Sequence, residues 1–126
     1  MDIVRVRREV DQARQRFAYV ECQPTTDGKL YVLAALQTSQ QQIYTLAIFF
    51  PDTYPFSMPQ VFVRKPALLA SAPHRYRDGQ LCYLHPKMWN PGRHDLTFVI
   101  ARAAKWLGKY EVWASTRNWP GAEVSH

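Results

Sequence analysis

Cysteine is scarce in this chain of 126 residues, with only Cys22 and Cys82 present. Two thiols make no disulfide framework in a domain of this size, so both are expected to be free. Long apolar runs are missing as well, and nothing approaches the roughly 20 residues a helix needs to span a bilayer. Met1-Asp2-Ile3-Val4-Arg5 begins no secretory signal, because no uninterrupted apolar stretch follows the charges. These absences predict a cytoplasmic protein with no membrane partner. Internal repeats and low-complexity stretches are absent too. Acidic residues are few, 10 against 16 Lys and Arg, which leaves a net charge of +6. A basic excess can serve nucleic acid, but no base-stacking sheet motif or helix-turn-helix pattern accompanies it. Nucleic acid is therefore not the expected main partner. The short paired spacings of structural zinc sites are also lacking, which counts against a metal site built from Cys82, His74, His85 and His94. No cofactor is expected, and no papain-type nucleophile signature is present.

What is present suits one globular domain over residues 1–126. Hydrophobic residues make up 47% and aromatic residues 13%, and a chain of this length buries roughly two-thirds of its unfolded surface. Val6, Val10, Ala13 and Phe17 recur at helical spacing, which predicts a helix from Asp2 to about Phe17 with Asp2 at its start. Arg5, Arg8, Gln12 and Arg16 then fall on the outer faces. Strand patterns follow over 17–22, 29–36, 43–50 and 60–64, with Thr26-Asp27-Gly28 and Ser39-Gln40-Gln41-Gln42 as turns. In the third strand, Tyr44, Leu46, Ile48 and Phe50 share one face, and Thr45, Ala47 and Phe49 the other. The second face is not fully polar, so that strand is expected to be central or covered on both sides. Cys22 closes the first strand as a packing thiol. Pro51, Pro55 and Pro59 cannot donate ladder hydrogen bonds, so pairing stops between Phe50 and Gln60. Tyr54 and Phe56 are expected to cover that turn with their rings. The plan is α+β: an N-terminal helix, a four-stranded antiparallel meander, a long loop and a following helix.

The loop from Pro66 to Pro91 is long and has little periodicity, and such connections are usually functional. It holds Cys82, with His74 eight residues earlier and Arg75, Arg77 and Lys87 nearby in sequence. A reactive thiol needs an electropositive, partly accessible setting, whereas a structural one is simply buried, and residue types leave both open. Asp95-Leu96-Thr97 opens a helix expected to reach about Leu107, with Gly108 at its C′ position. The tail beyond it, to His126, carries Trp113 and Trp119, whose indoles are expected to cover the sheet or the helix.

Phe50-Pro51-Asp52-Thr53-Tyr54-Pro55-Phe56-Ser57-Met58-Pro59, Gly79 three residues before Cys82, Trp89-Asn90-Pro91 and Leu96-Thr97 occur in one register. Together they resemble the catalytic core of ubiquitin-conjugating enzymes, whose pattern runs F-P-x-x-Y-P-F-x-x-P, H-P-N-x-x-x-x-G-x-x-C, W-S-P. The likeness covers the run from Tyr44 to Leu107. The family's H-P-N falls on Ala72-Pro73-His74, so His74 replaces its asparagine. The chain also ends soon after the first helix beyond the cysteine, where eukaryotic members carry two more. Both departures, with the segment ending Trp119-Pro120-Gly121, resemble the small bacterial conjugating enzymes of CBASS anti-phage operons.

The resemblance implies a transferase that holds a modifier or a protein C-terminus as a Cys82 thioester and passes it to an amine. The implied partners are a ubiquitin-like modifier or a cGAS/DncV-like nucleotidyltransferase, together with an activating enzyme that docks on the basic N-terminal helix. His74 can donate to the tetrahedral oxyanion, help deprotonate the amine, or only bond loop backbone. Asp78, and less directly His85, can assist the incoming amine. An inactive binding module on the same fold is the alternative, against which the register of Cys82 counts.

Overall fold

Asp2 starts the first helix, its carboxylate accepting from the Arg5 backbone N–H at 3.0 Å. The computed structural model describes residues 1–121. Helix α1 spans Ile3–Arg14 and buries Val6, Val10 and Ala13 as their spacing predicts. It ends short of the expected Phe17, which is half-buried just beyond it. Four strands follow: β1 (Tyr19–Pro24), β2 (Leu30–Gln37), β3 (Ile43–Phe49) and β4 (Gln60–Lys65). They form an antiparallel meander in the order β1-β2-β3-β4. Gly28, at φ 83°, closes the first hairpin by donating its N–H to the Thr25 carbonyl.

The expected α+β architecture is therefore the observed one. Strand β3 is central, as its two apolar faces suggested. Its core face packs against the helices. The opposite face shields itself with aromatic contacts: Tyr31 stacks on Phe49 at 5.1 Å, and Phe49 meets Phe62 edge-on at 5.8 Å.

Helix α2 spans Leu96–Thr116, nine residues past the expected end. Gly108 is not its C′ residue. That position falls to Arg117, whose φ of 63° turns the chain back. The apolar stripe Val99, Ala103, Trp106, Tyr110 and Trp113 continues through the glycine, which lies on the exposed face. Burying Tyr110 and Trp113 outweighs the roughly 1 kcal/mol a helical glycine costs. Trp113 is thus a helix residue, not part of a tail. No helix among the described residues is long and apolar enough to cross a membrane.

Two charged residues sit where the apolar pattern gave no hint of them. Glu9 is 2% exposed, and its carboxylate accepts from the Arg5 guanidinium, the Tyr54 hydroxyl and the Leu96 backbone N–H. Arg5 also donates to the carbonyls of Pro91 and His94, so it is an internal anchor and not a solvent-facing arginine. This knot ties α1, the proline segment and the start of α2 together. Glu111 is similarly buried and accepts from Tyr44 at 3.0 Å and Thr38 at 2.8 Å, fixing α2 to the β2–β3 turn.

The two motifs that carried the resemblance touch each other. The Trp89 indole donates to the Pro55 carbonyl at 2.8 Å and lies 6.2 Å from the Tyr54 ring. Tyr54 is 2% exposed, but Phe56, expected to cover the same turn, is 79% exposed. Between them the chain makes a tight turn, with the Phe56 N–H donating to the Thr53 carbonyl, and only Tyr54 is buried there.

Candidate active site

The segment Leu81-Cys82-Tyr83-Leu84 belongs to no strand of the sheet and is buried at every residue. A buried loop must find partners for its backbone polar groups. Here Leu81 N–H donates to Val61 of β4, Cys82 N–H donates to His74, and the Tyr83 carbonyl accepts from the Arg102 side chain of α2. The Tyr83 hydroxyl donates to the Pro59 carbonyl. The cysteine is thus held between the sheet edge and α2 by bonds from both.

Asp78-Gly79 bends the loop back on itself. Gly79 adopts φ 97°, its N–H donates to Tyr76, and Tyr76 N–H donates to Gln80. This register sets Arg75 opposite Leu81 in an isolated bridge and His74 opposite Cys82. His74 has φ 58°, a region where histidine and asparagine are the side chains most readily accommodated after glycine. Its carbonyl accepts two hydrogen bonds, from Cys82 N–H at 2.9 Å and from the Trp106 indole at 3.0 Å. Its ring lies 4.8 Å from that of Trp119, which also packs on Trp106 at 5.3 Å.

His74 and Cys82 line one small open cleft with a free volume of about 20 Å³, which Trp106 and Trp119 also line. Arg102, Lys105 and Lys109 of α2 form its cationic side. The expectation that Trp119 covers the helix holds, and its indole also borders the cysteine's cleft. Asp78 does not share that cleft; it lines a separate depression with Arg75 and Tyr76. Its carboxylate accepts from the Gln80 backbone and side chain, which keeps its pKa below the usual carboxylate range.

Burial pushes the Cys82 thiol pKa up, and a hydrogen bond from the Tyr76 hydroxyl pulls it down. No arginine or lysine contributes to its shift. The electropositive setting suggested by Arg75, Arg77 and Lys87 is not what tunes this sulfur. Arg75 reaches instead to the carbonyls of Leu69 and Ala70. Cations act on Cys22, whose pKa is raised by burial and drawn back by Arg7 and Arg14. Cys22 is half-buried under α1, as a packing thiol would be. Tyr76 escaped the sequence reading, although the Asp78-Gly79 turn signal foreshadows the fold-back that brings it to Cys82.

His85 and His94 do local structural work. His85 accepts from Lys87 N–H and caps the short 3-10 turn Pro86–Met88. His94 accepts from Asn90 N–H and stacks on Phe98 at 4.0 Å. Among the described residues, no three His, Cys, Asp or Glu side chains gather to hold a metal ion.

The family model described as Type II CBASS E2 protein matches residues 9–126, in agreement with the resemblance carried by the motifs. No curated protein matches the chain.

Proposed function

The chain belongs to the type II CBASS E2 family, and from that premise we propose that Cys82 carries the C-terminus of another protein as a thioester and transfers it to an amine. The observation that carries this reading is the placement of Cys82. Its backbone is pinned by His74, its sulfur is bonded by Tyr76, and it faces an open cleft.

In the first step the Cys82 thiolate adds to the carbonyl carbon of the donor thioester, and the donor's sulfur leaves as a thiolate. In the second, an amine adds to the new thioester carbonyl and the C–S bond breaks. Cys82 then leaves as a thiolate and the nitrogen loses a proton to give an amide. Each step passes through an oxyanion that a positioned donor stabilises. The His74 ring lines the same cleft and is assigned that role. Asp78, in the turn of the same loop, stays ionised at neutral pH, which suits it to attract an approaching lysine ammonium.

The setting that goes with this reading is anti-phage defence in a bacterial cytoplasm, where thiols stay reduced. The carried protein or the acceptor is a cGAS/DncV-like nucleotidyltransferase, with a ubiquitin-like modifier as the other source of the acyl group. An activating enzyme would meet α1 through Arg7 and Arg8, with Arg16 just beyond the helix, all three exposed, and not through Arg5.

The test is adduct trapping with the operon's activating partner. Wild type and Cys22→Ala should form a reductant-sensitive adduct and Cys82→Ala should form none. Cys82→Lys should give a reductant-resistant one. An adduct that survives Cys82→Ala would refute the assignment. Partner binding without any adduct on the wild type would favour an inactive binding module.

A further inference from the structure

The cleft beside Cys82 has a directional charge pattern along α2. Arg102, Lys105 and Lys109 follow one another at helical spacings of three and four, so they line one face of α2. Arg102 marks the end nearest the cysteine, because its Nε donates to the carbonyl of Tyr83, the next residue, at 3.0 Å. Lys109 marks the far end, beside Gly121. No carboxylate lines the cleft among the described residues. These cations do not tune the thiol, whose shift has only burial and Tyr76 as causes. A row of cations that leaves the nucleophile alone is placed to act on whatever is delivered to it.

Resting on the thioester reading, we propose that this row docks an acidic stretch lying just upstream of the carboxyl-terminal residue that Cys82 carries. Seven residues of helix advance about 10 Å, the length of roughly three residues of extended chain. The acidic side chains therefore fall within about four residues of the carried carbonyl. The aromatic floor of Trp106 and Trp119 supports the peptide backbone, and its acyl end points to the sulfur. The net charge of +6 steers such a segment inward from a distance.

The experiment uses three synthetic decapeptides ending in glycine, with Asp/Glu, Ser or Lys at the positions two to five residues from the end. Binding of their fluorescent amide forms to the full chain carrying Cys82→Ser is read by anisotropy. Acylation of the wild type by their mercaptoethanesulfonate thioesters is read by mass spectrometry. In that exchange the Cys82 thiolate takes the acyl group and mercaptoethanesulfonate leaves as the thiolate.

The acidic peptide should bind and load about tenfold better than the Ser peptide at low salt, and the Lys peptide worst. Lys105→Glu with Lys109→Glu should reverse that order, and Lys105→Gln with Lys109→Gln should flatten it. Equal binding of the three peptides, binding of none, or an order unchanged in the Glu variant would overturn the docking proposal. Loading without acidic preference overturns docking and leaves the thioester reading standing. Acid-selective binding with no loading of any peptide does the reverse.

Discussion

At Cys82, burial and a hydrogen bond push in opposite directions. Burial favours the neutral thiol, and the Tyr76 hydroxyl favours the thiolate. Removing the hydroxyl leaves burial unopposed, so the folded-state pKa rises and less thiolate exists at any pH below it. Tyr76→Phe should therefore shift the pH profile of Cys82 alkylation to higher pH without changing that of Cys22. Superimposable profiles would remove Tyr76 from the site. His74 separates into a backbone and a ring contribution. Its left-handed φ suits Gly or Asn, so His74→Gly deletes the ring with the loop conformation kept. If the ring donates to the oxyanion, His74→Gly should slow discharge to an amine by roughly 10²–10³-fold, and His74→Asn should recover part of the loss. Discharge of the Gly variant at the wild-type rate would mean that His74 matters only through its backbone, whose carbonyl holds Cys82 and Trp106.

Between elements, the decisive links are polar. Glu9 satisfies donors from α1, the proline segment and α2 at one buried carboxylate. Glu9→Ala strands a part-buried guanidinium and the first N–H of α2, and should destabilise the fold by about 3–5 kcal/mol in chemical denaturation. A loss below 1 kcal/mol would show that water replaces the carboxylate there. Helix α2 offers the opposite case. A Cβ at Gly108 would meet nothing within 4 Å, and the residue is interior to the helix. Gly108→Ala should raise stability by about 0.5–1 kcal/mol. Had Gly108 been a left-handed C′ residue, the same change would destabilise, so the sign of the effect reports where the helix ends.

For the whole molecule, both helices meet the core face of one sheet, and the loop that carries Cys82 is wedged between β4 and α2. The loop therefore depends on the same packing as the core and should not melt separately. Far-UV circular dichroism and tryptophan fluorescence should give coincident unfolding midpoints, because Trp89, Trp106, Trp113 and Trp119 span the loop, α2 and the segment beyond it. An early fluorescence transition would show that the cleft opens before the fold unravels, which is the local stability expected of a gated site.

Periodic features were legible in the chain itself. The alternation of β3, the stripe of Val6, Val10 and Ala13, and the prolines that end the sheet each follow from covalent geometry repeated over a few residues. The family was legible as well, because its motifs are local strings in a set register. What lay beyond the sequence involves partners distant along it. Glu9 occupies a core position that only Tyr54 and Leu96, 45 and 87 residues away, make tolerable for a carboxylate. Gly108 resembles a helix stop until Tyr110 and Trp113 have a core to enter. Arg75, Arg77 and Lys87 are near Cys82 in sequence, yet none of them shifts its pKa; Tyr76 does, through a turn that folds the loop back. Local patterns set which elements form, since their energies are paid within a few residues. Tertiary structure decided which charges are buried and which groups meet the sulfur, since desolvation and hydrogen bonding depend on the whole surroundings in space.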